Sequence, residues 1–432
     1  MSLQLLVVLV PVLLAFMGFA FDLGRLYMIR GELNQAASAM ALAAAQKLIG
    51  TSDSLDKAGE AANQVMDDST GHGAKYNFGA LLVGQSTGML ASEVQLPSYY
   101  SALAAATEAD DTTTGDEADG TTARHVQINL TAEAPLLFWG LLSLGQSRAT
   151  PIAARAVAGL SAPVCTACAI EPLAIAALNA EDTTDFGFTL GTKYTLAYQC
   201  QSAPPANPPA PLATTGQVIS YLLIDRFNDS TELDETQQVY RIGAQGLLPS
   251  SAYGKACVQV GAVEMVWGTN GGTSANPSAC AAQPPVHVQY LMCGLYTRFL
   301  SDMPTVCQNN ITDIDNLVTS YQPDTDLATQ DDYTAYTGNT RRVITVPIVD
   351  ALNLEGMNVL GFRQFLLQPL VDGDPPTPFN PNDQDGRFIA MYLGMNQADN
   401  LTTPVPLKQG RIDGCQNGLT VAAGPGKVVL HQ

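Results

Sequence analysis

Residues Leu5–Phe21 read LLVVLVPVLLAFMGFAF, a run with no charged or hydrogen-bonding side chain. No charged side chain precedes Asp22. The run stops at Asp22 and Arg25, yet helical spacing continues past them: Leu26, Ile29, Leu33, Ala37, Met40, Ala44 and Leu48 recur at steps of three or four. This pattern predicts one long helix, apolar all round at first and along one stripe afterwards. At about 1.5 Å per residue, a helix from Leu3 to Ile49 is roughly 70 Å long. Such a segment is a membrane anchor or the core helix of a fibre. Its candidate assembly residues are Leu5, Leu9, Leu13, Phe16, Phe19, Asp22 and Arg25.

The run lies near the lower limit for spanning a bilayer, about 17 to 25 residues. A cleavable secretory signal fits poorly, because there is no basic stretch before the run and no A-x-A site after it. Arg25 and Arg30 follow the run, so the positive-inside rule would hold the rest of the chain in the cytoplasm. The composition of that rest points the other way. A basic leader ahead of Met1 would resolve the conflict, and the sequence leaves that question open. Pro11 removes one helical hydrogen bond and can kink the helix.

The 432-residue chain is long enough for two domains behind the helix. Forty acidic residues face twenty basic ones, a formal charge of −20, which repels phosphate backbones and excludes nucleic acid as an expected partner. The eight cysteines, Cys165, Cys168, Cys200, Cys257, Cys280, Cys293, Cys307 and Cys415, all lie beyond the first third of the chain. Scattered among loops, they predict up to four disulfides and an oxidising compartment, with the connectivity left open.

Further along, Thr107–Thr122, TEADDTTTGDEADGTT, predicts a solvated loop. Val126–Ala134 alternates apolar and polar residues as a strand, Pro135–Gly145 (PLLFWGLLSLG) suggests a short helix, and Thr150–Leu160 alternates again. Gln201–Pro211, QSAPPANPPAP, is a polyproline-like loop. Gln217–Asp225, Arg341–Leu352, Gly356–Leu367 and Gly386–Gly394 predict buried strands. Val286–Leu300 predicts a helix packed through Tyr290, Cys293, Leu295 and Phe299.

Asp22, Gly24, Arg25, Tyr27, Arg30, Asn34 and Gln35, followed by the Ala-rich stretch from Ala36 to Ala45, resemble the opening of the TadE/TadG-like family of tight-adherence (Flp-type) pilus-assembly proteins. The block from Val126 to Leu160 is similar to the strand, Pro-Leu-Phe helix and ARAVAG strand that close this family's first extracytoplasmic region. The resemblance covers about the first 160 residues. It implies a pilin-like protein with its helix in a membrane or a filament. Larger members carry a metal site of the D-x-S-x-S kind, which this sequence lacks. Gln4 and Leu5 also stand where type IV pilins place an acid.

Signatures of enzymes are missing: no G-x-S-x-G, H-E-x-x-H, Walker loop or G-x-G-x-x-G occurs. Cys165-Thr166-Ala167-Cys168 has redox spacing, but a single CxxC in a Cys-rich body favours structural disulfides. His72, His125, His287 and His431 share no ligand spacing. Asn382-Asp383-Gln384-Asp385-Gly386 resembles the middle of a calcium loop, with Asp383 and Asp385 as candidate ligands, although Pro381 occupies the first ligand position. Asp324, Asp326, Asp331, Asp332, Asp372 and Asp374 are further oxygen donors.

The sequence therefore predicts an α+β protein. A long apolar N-terminal helix (1–50) leads to a first α+β extracytoplasmic region (51–160) and a Cys-rich α+β C-terminal domain (161–432) with a β-rich core. The expected function is that of a non-enzymatic, pilin-like structural subunit of a bacterial surface pilus or extracellular filament. It would associate with itself or with other pilin-like subunits, and sit in the membrane through its helix before assembly. No cofactor is expected beyond the candidate calcium. The expected location is the cell surface, or the inner membrane facing the periplasm. The alternatives are a monomeric membrane-anchored adhesin or calcium-dependent binding module, and a secreted hydrolase.

Overall fold

A single helix, α1, runs from Ser2 to Ala45 in the computed structural model. The model describes residues 2–66, 93–94, 97–108, 118–136, 138, 149–168, 170–200, 209–212, 217–224, 257–266, 286–300, 304–310, 323–373, 376–394, 405–407, 410–411 and 424–431. The Ala-rich second half of α1 buries one stripe, Ile29, Leu33, Ala36, Ala37, Met40, Ala41 and Ala44, as the spacing predicts. Pro11 lies within the helix without ending it.

The first compact unit comprises Met1–Leu48, Asp53–Gly159 and Val428–Gln432. Helix α2 (Ser54–Met66) lays Ala58 and Ala62 into the same core as α1. An i,i+4 ion pair between Asp53 and Lys57 (2.7 Å) braces its start. Strands β1 (Glu93–Val94) and β2 (Ser98–Tyr100) both pair with β3 (His125–Pro135), which pairs with β4 (Ala149–Leu160). The strand Val428–His431 closes the far side of β4.

The β3–β4 ladder runs unbroken from His125 opposite Gly159 to Pro135 opposite Ala149. Its core face matches large against small: Val126 faces Ala158, Ile128 faces Ala156 and Leu130 faces Ala154. The alanines leave room for α1 to pack closely on the sheet. Gly159 is required where it stands, because a Cβ there would fall 2.0 Å from Nδ1 of His125. The Thr107–Thr122 loop is described only at its ends. Thr107 belongs to a short helix, α3 (Leu103–Glu108), and Asp119 caps a turn by accepting the N–H groups of Thr121 (3.0 Å) and Thr122 (2.9 Å). The Pro135–Gly145 segment is described only at Pro135, Leu136 and the helical Phe138, and most of Gln201–Pro211 also lies outside the described residues.

The second unit comprises Ile49–Ser52 and Leu160–Lys427. Its elements are β5 (Thr166–Cys168), β6 (Leu173–Ala176), β7 (Lys193–Tyr198), β8 (Val218–Leu223), β9 (Cys257–Gln259), β10 (Val263–Glu264), α4 (Val286–Tyr296), α5 (Thr305–Asn310), β11 (Val343–Val349), β12 (Met357–Gln368), β13 (Phe388–Tyr392) and β14 (Gly410–Arg411). The last strand of the chain, Val428–His431 in the first unit, is β15. The four predicted strands are β8, β11, β12 and β13, and the predicted helix is α4.

Strand order in the main sheet is β10-β12-β11-β6-β8-β7-β13, and β13 pairs back onto β12. Six strands, β12, β11, β6, β8, β7 and β13, therefore close into a ring, with β10 added beside the start of β12. Closure leaves no free edge in the ring. The β11–β6 and β7–β8 pairs are parallel and the others antiparallel. Every residue of β11 and β13 is buried, which is why both read as continuous apolar runs rather than alternating ones. Phe188, Tyr194, Phe365 and Tyr392 pack ring on ring at 5.2 to 5.7 Å in this core.

Three buried arginines tie loops to the barrel. Arg363 lies 4.3 Å above the Phe186 ring and donates to the carbonyls of Thr183 and Thr184. Arg342 donates to the carbonyls of Leu367 (2.7 Å) and Ala328 (3.1 Å). Arg298 meets the buried carboxylate of Glu171.

Candidate functional site

The first half of α1 is the segment to which the sequence assigns function. Leu9, Leu13, Phe16 and Phe19 are all exposed, Phe16 by 70%. Val10, Val12, Leu14, Met17, Phe21 and Leu23 are exposed around them. The Leu5 side chain lies outside the described residues. At about 25 cal/mol per Å² of apolar surface, leaving such a helix in water is costly. Among the described residues this is the one helix long and apolar enough to cross a membrane.

The apolar half ends at a built junction. Asp22 is only 6% exposed. Its carboxylate accepts the backbone N–H of Phe138, at 3.0 Å from Oδ2 and 3.3 Å from Oδ1. The Phe138 ring lies against Gly18, where a Cβ would come within 2.4 Å of its Cδ1, and 6.3 Å from the ring of Phe21. Asp22 thus serves the chain beyond β3 rather than simply marking a water interface. Arg25 is half-buried three residues on. Nothing in the local sequence pairs Asp22 with Phe138; the β3 register places them together.

The remaining predicted residues are structural in their placement. Cys168 and Cys257 are directly opposed in the β5–β9 ladder and disulfide-bonded, and Cys293 is bonded to Cys307. Cys168 therefore does not pair with Cys165, so the CxxC is not a dithiol unit. Cys165 and Cys200 are also disulfide-bonded, and no described cysteine is free. Cys280 and Cys415 lie outside the described residues.

Asp383 receives the Arg387 guanidinium on both oxygens, at 3.0 Å and 2.7 Å, together with the N–H of Asp385 at 3.1 Å. Asp385 lies 3.9 Å from the same guanidinium. Asp326 receives the side chain of Gln330 at 2.9 Å, and Asp332 caps the turn at Thr334. Among the described residues no three His, Cys, Asp or Glu side chains gather as a metal-ligand group. Two histidines that the sequence leaves unrelated, His125 and His431, meet edge to face at 5.4 Å.

A hollow of about 380 Å³ opens beside α1, lined by Arg30, Asn34, Asn129, Leu130, Thr131, Ala153, Ala154 and Arg155. Among the described residues no acid, histidine, cysteine or serine lines it, and Thr131 supplies a hydroxyl.

A long helix, apolar and bare in its first half and packed along one stripe in its second, is consistent with an N-terminal assembly or anchoring segment. Residues 2–47 match the family model Tad, that of Flp pilus-assembly TadE/G-like proteins. The match falls on the segment whose Asp22, Gly24, Arg25 and Tyr27 carry the resemblance read from the sequence. The match ends at residue 47, short of the Val126–Leu160 block. No curated protein and no solved structure matches the chain.

Proposed function

We propose that this chain is a non-enzymatic structural subunit of a bacterial Flp-type surface filament, assembled through the apolar half of α1. The observation that carries the reading is the bare stretch from Leu9 to Phe21, continuous with a helix whose second half is packed along one stripe. Before assembly that stretch lies in a membrane; afterwards it lies against other copies or other pilin-like subunits. The disulfides support an extracytoplasmic body.

The test is a charge in the apolar half. Leu13→Lys or Phe16→Asp should abolish fibres seen by electron microscopy and release the protein from membranes, while the disulfide pattern of the body stays intact. Burying such a charge costs several kcal/mol. Normal fibres from either variant would remove α1 as the organising element. Wild-type protein that stays membrane-bound and forms no fibres would mark a monomeric anchored adhesin instead.

A further inference from the structure

The chain does not leave the first unit's sheet where β3 ends. It continues through Leu136 to Phe138, and Phe138 is held on the apolar half of α1 by three contacts: its ring on Gly18, its ring near Phe21 and its N–H on Asp22. The end of β3 is thereby fixed at the level of Gly18 to Asp22. Phe138 is still 41% exposed. Phe21, whose ring is 6.3 Å away, is exposed as well, as are Phe19 and Leu23 on either side of it in α1. The sequence carries no charge between Glu133 and Arg148, and it places Trp139 next to Phe138.

Depth decides what this surface meets. If α1 leaves the bilayer at Asp22, Gly18 is one helical turn deeper, about 6 Å. Interfacial segments bury their apolar faces to about 5–10 Å, and aromatic side chains collect at that level. Backbone with bare N–H groups cannot go further, because each such group in hydrocarbon needs a partner. At Phe138 that partner is Asp22, and the same bond satisfies an acid placed at the edge of the apolar segment.

We propose that Leu136 and Phe138 form a second lipid contact, an interfacial wedge in the boundary between headgroups and acyl chains beside α1. This inference rests on the reading of α1 as a membrane helix before assembly. Two contacts at one depth fix the rotation of the first unit about the helix axis, which a lone anchor leaves free.

The test uses full-length protein in vesicles of phosphatidylethanolamine and phosphatidylglycerol. Trp139→Phe with Trp267→Phe removes the native fluorophores, and Phe138→Trp or Phe16→Trp supplies one reporter. Both reporters should be blue-shifted and should lose most of their emission to brominated lipids. Phe138→Trp should respond best to bromines near the headgroup and Phe16→Trp to deeper ones. Quenching at Phe16→Trp with none at Phe138→Trp overturns the wedge and leaves the anchor standing. A blue-shifted but unquenched Phe138→Trp means that protein, such as a second copy, covers the site, and also overturns it. Failure of both reporters removes the membrane reading of α1 and the wedge with it. Should Phe138→Trp not fold, Leu136→Trp in the same background takes its place and decides by the same criteria.

Discussion

Arg298 places its Nη2 on Oε1 of Glu171, with both side chains shut away from water. Its Nη1 donates to the carbonyl of Arg341 at 2.6 Å. Burial pushes the Glu171 carboxyl above its ordinary value, against the pull of Arg298 and Arg341. The pair fixes the approach to β6 to the chain leaving α4. Removing one partner of a buried pair strands the other, at about 3–5 kcal/mol. Arg298→Met alone should cost that much in chemical denaturation, and Arg298→Met with Glu171→Leu much less. Strictly additive losses would show that the two side chains are not coupled.

The glycines of α1 should behave differently. At Gly18 any side chain meets Phe138, so Gly18→Val should cost about 1–3 kcal/mol by overpacking. At Gly24 nothing lies within 4 Å, and Gly24→Ala should stabilise the helix by about 0.5–1 kcal/mol. Thermal melts in detergent should move in opposite directions. Equal behaviour would mean that Phe138 does not rest on Gly18 in solution.

Unequal losses are expected from the two described disulfides. The Cys168–Cys257 link spans 89 residues and Cys293–Cys307 spans 14. Loop entropy assigns them about 4–5 and about 3 kcal/mol. Peptide mapping without reduction should recover both links. Paired Ala substitutions should cost more at Cys168 and Cys257, and the reverse order would contradict this ranking.

His287, on α4, gives the second unit a pH dependence. Burial lowers its pKa from 6.5 to about 4. The folded state therefore holds the neutral ring while the unfolded chain takes up a proton. Its contribution is complete above pH 6.5 and disappears as the pH falls towards about 4, by up to roughly 3 kcal/mol at 1.4 kcal/mol per unit. His287→Gln should flatten the stability profile between these values. An unchanged slope would place the titration elsewhere.

Calcium should leave the loop at Asp383 and Asp385 alone, because Arg387 already takes both oxygens of Asp383. Millimolar calcium, or its removal by EDTA, should not move the melting midpoint. Asp383→Asn should lower stability by about 1–3 kcal/mol, the scale of a hydrogen bond to a charged group. A calcium-dependent rise in the wild type, lost in Asp383→Asn, would support Asp383 and Asp385 as calcium ligands.

Local patterns carried much of this fold into the sequence. The Leu26 to Leu48 spacing foretold the buried stripe of α1, and alternation foretold β3 and β4. Continuous apolar runs foretold β8, β11, β12 and β13. What lay beyond reach depends on pairing between distant residues. Short strands such as β5 and β6 carry too few residues to show a period. Closure of the barrel through β12 and β13 is a matter of register, and so are the Cys168–Cys257 link and the meeting of His125 with His431. Arg298, Arg342 and Arg363 carry no burial signal in the sequence, because their partners are backbone carbonyls and acids far along the chain. At the candidate site the exposed apolar residues were legible, whereas the Asp22–Phe138 bond depends on where β3 ends.

Strand β15 pairs with β4, yet residues 161–427 separate them in sequence. During synthesis β4 emerges early and waits with one edge of N–H and C=O groups unmatched until Val428–His431 arrives. The last step of the first unit's folding is thus tied to translation of everything between. A chain broken off anywhere in the second unit keeps that edge open, and open edges recruit chaperones, proteases or other strands.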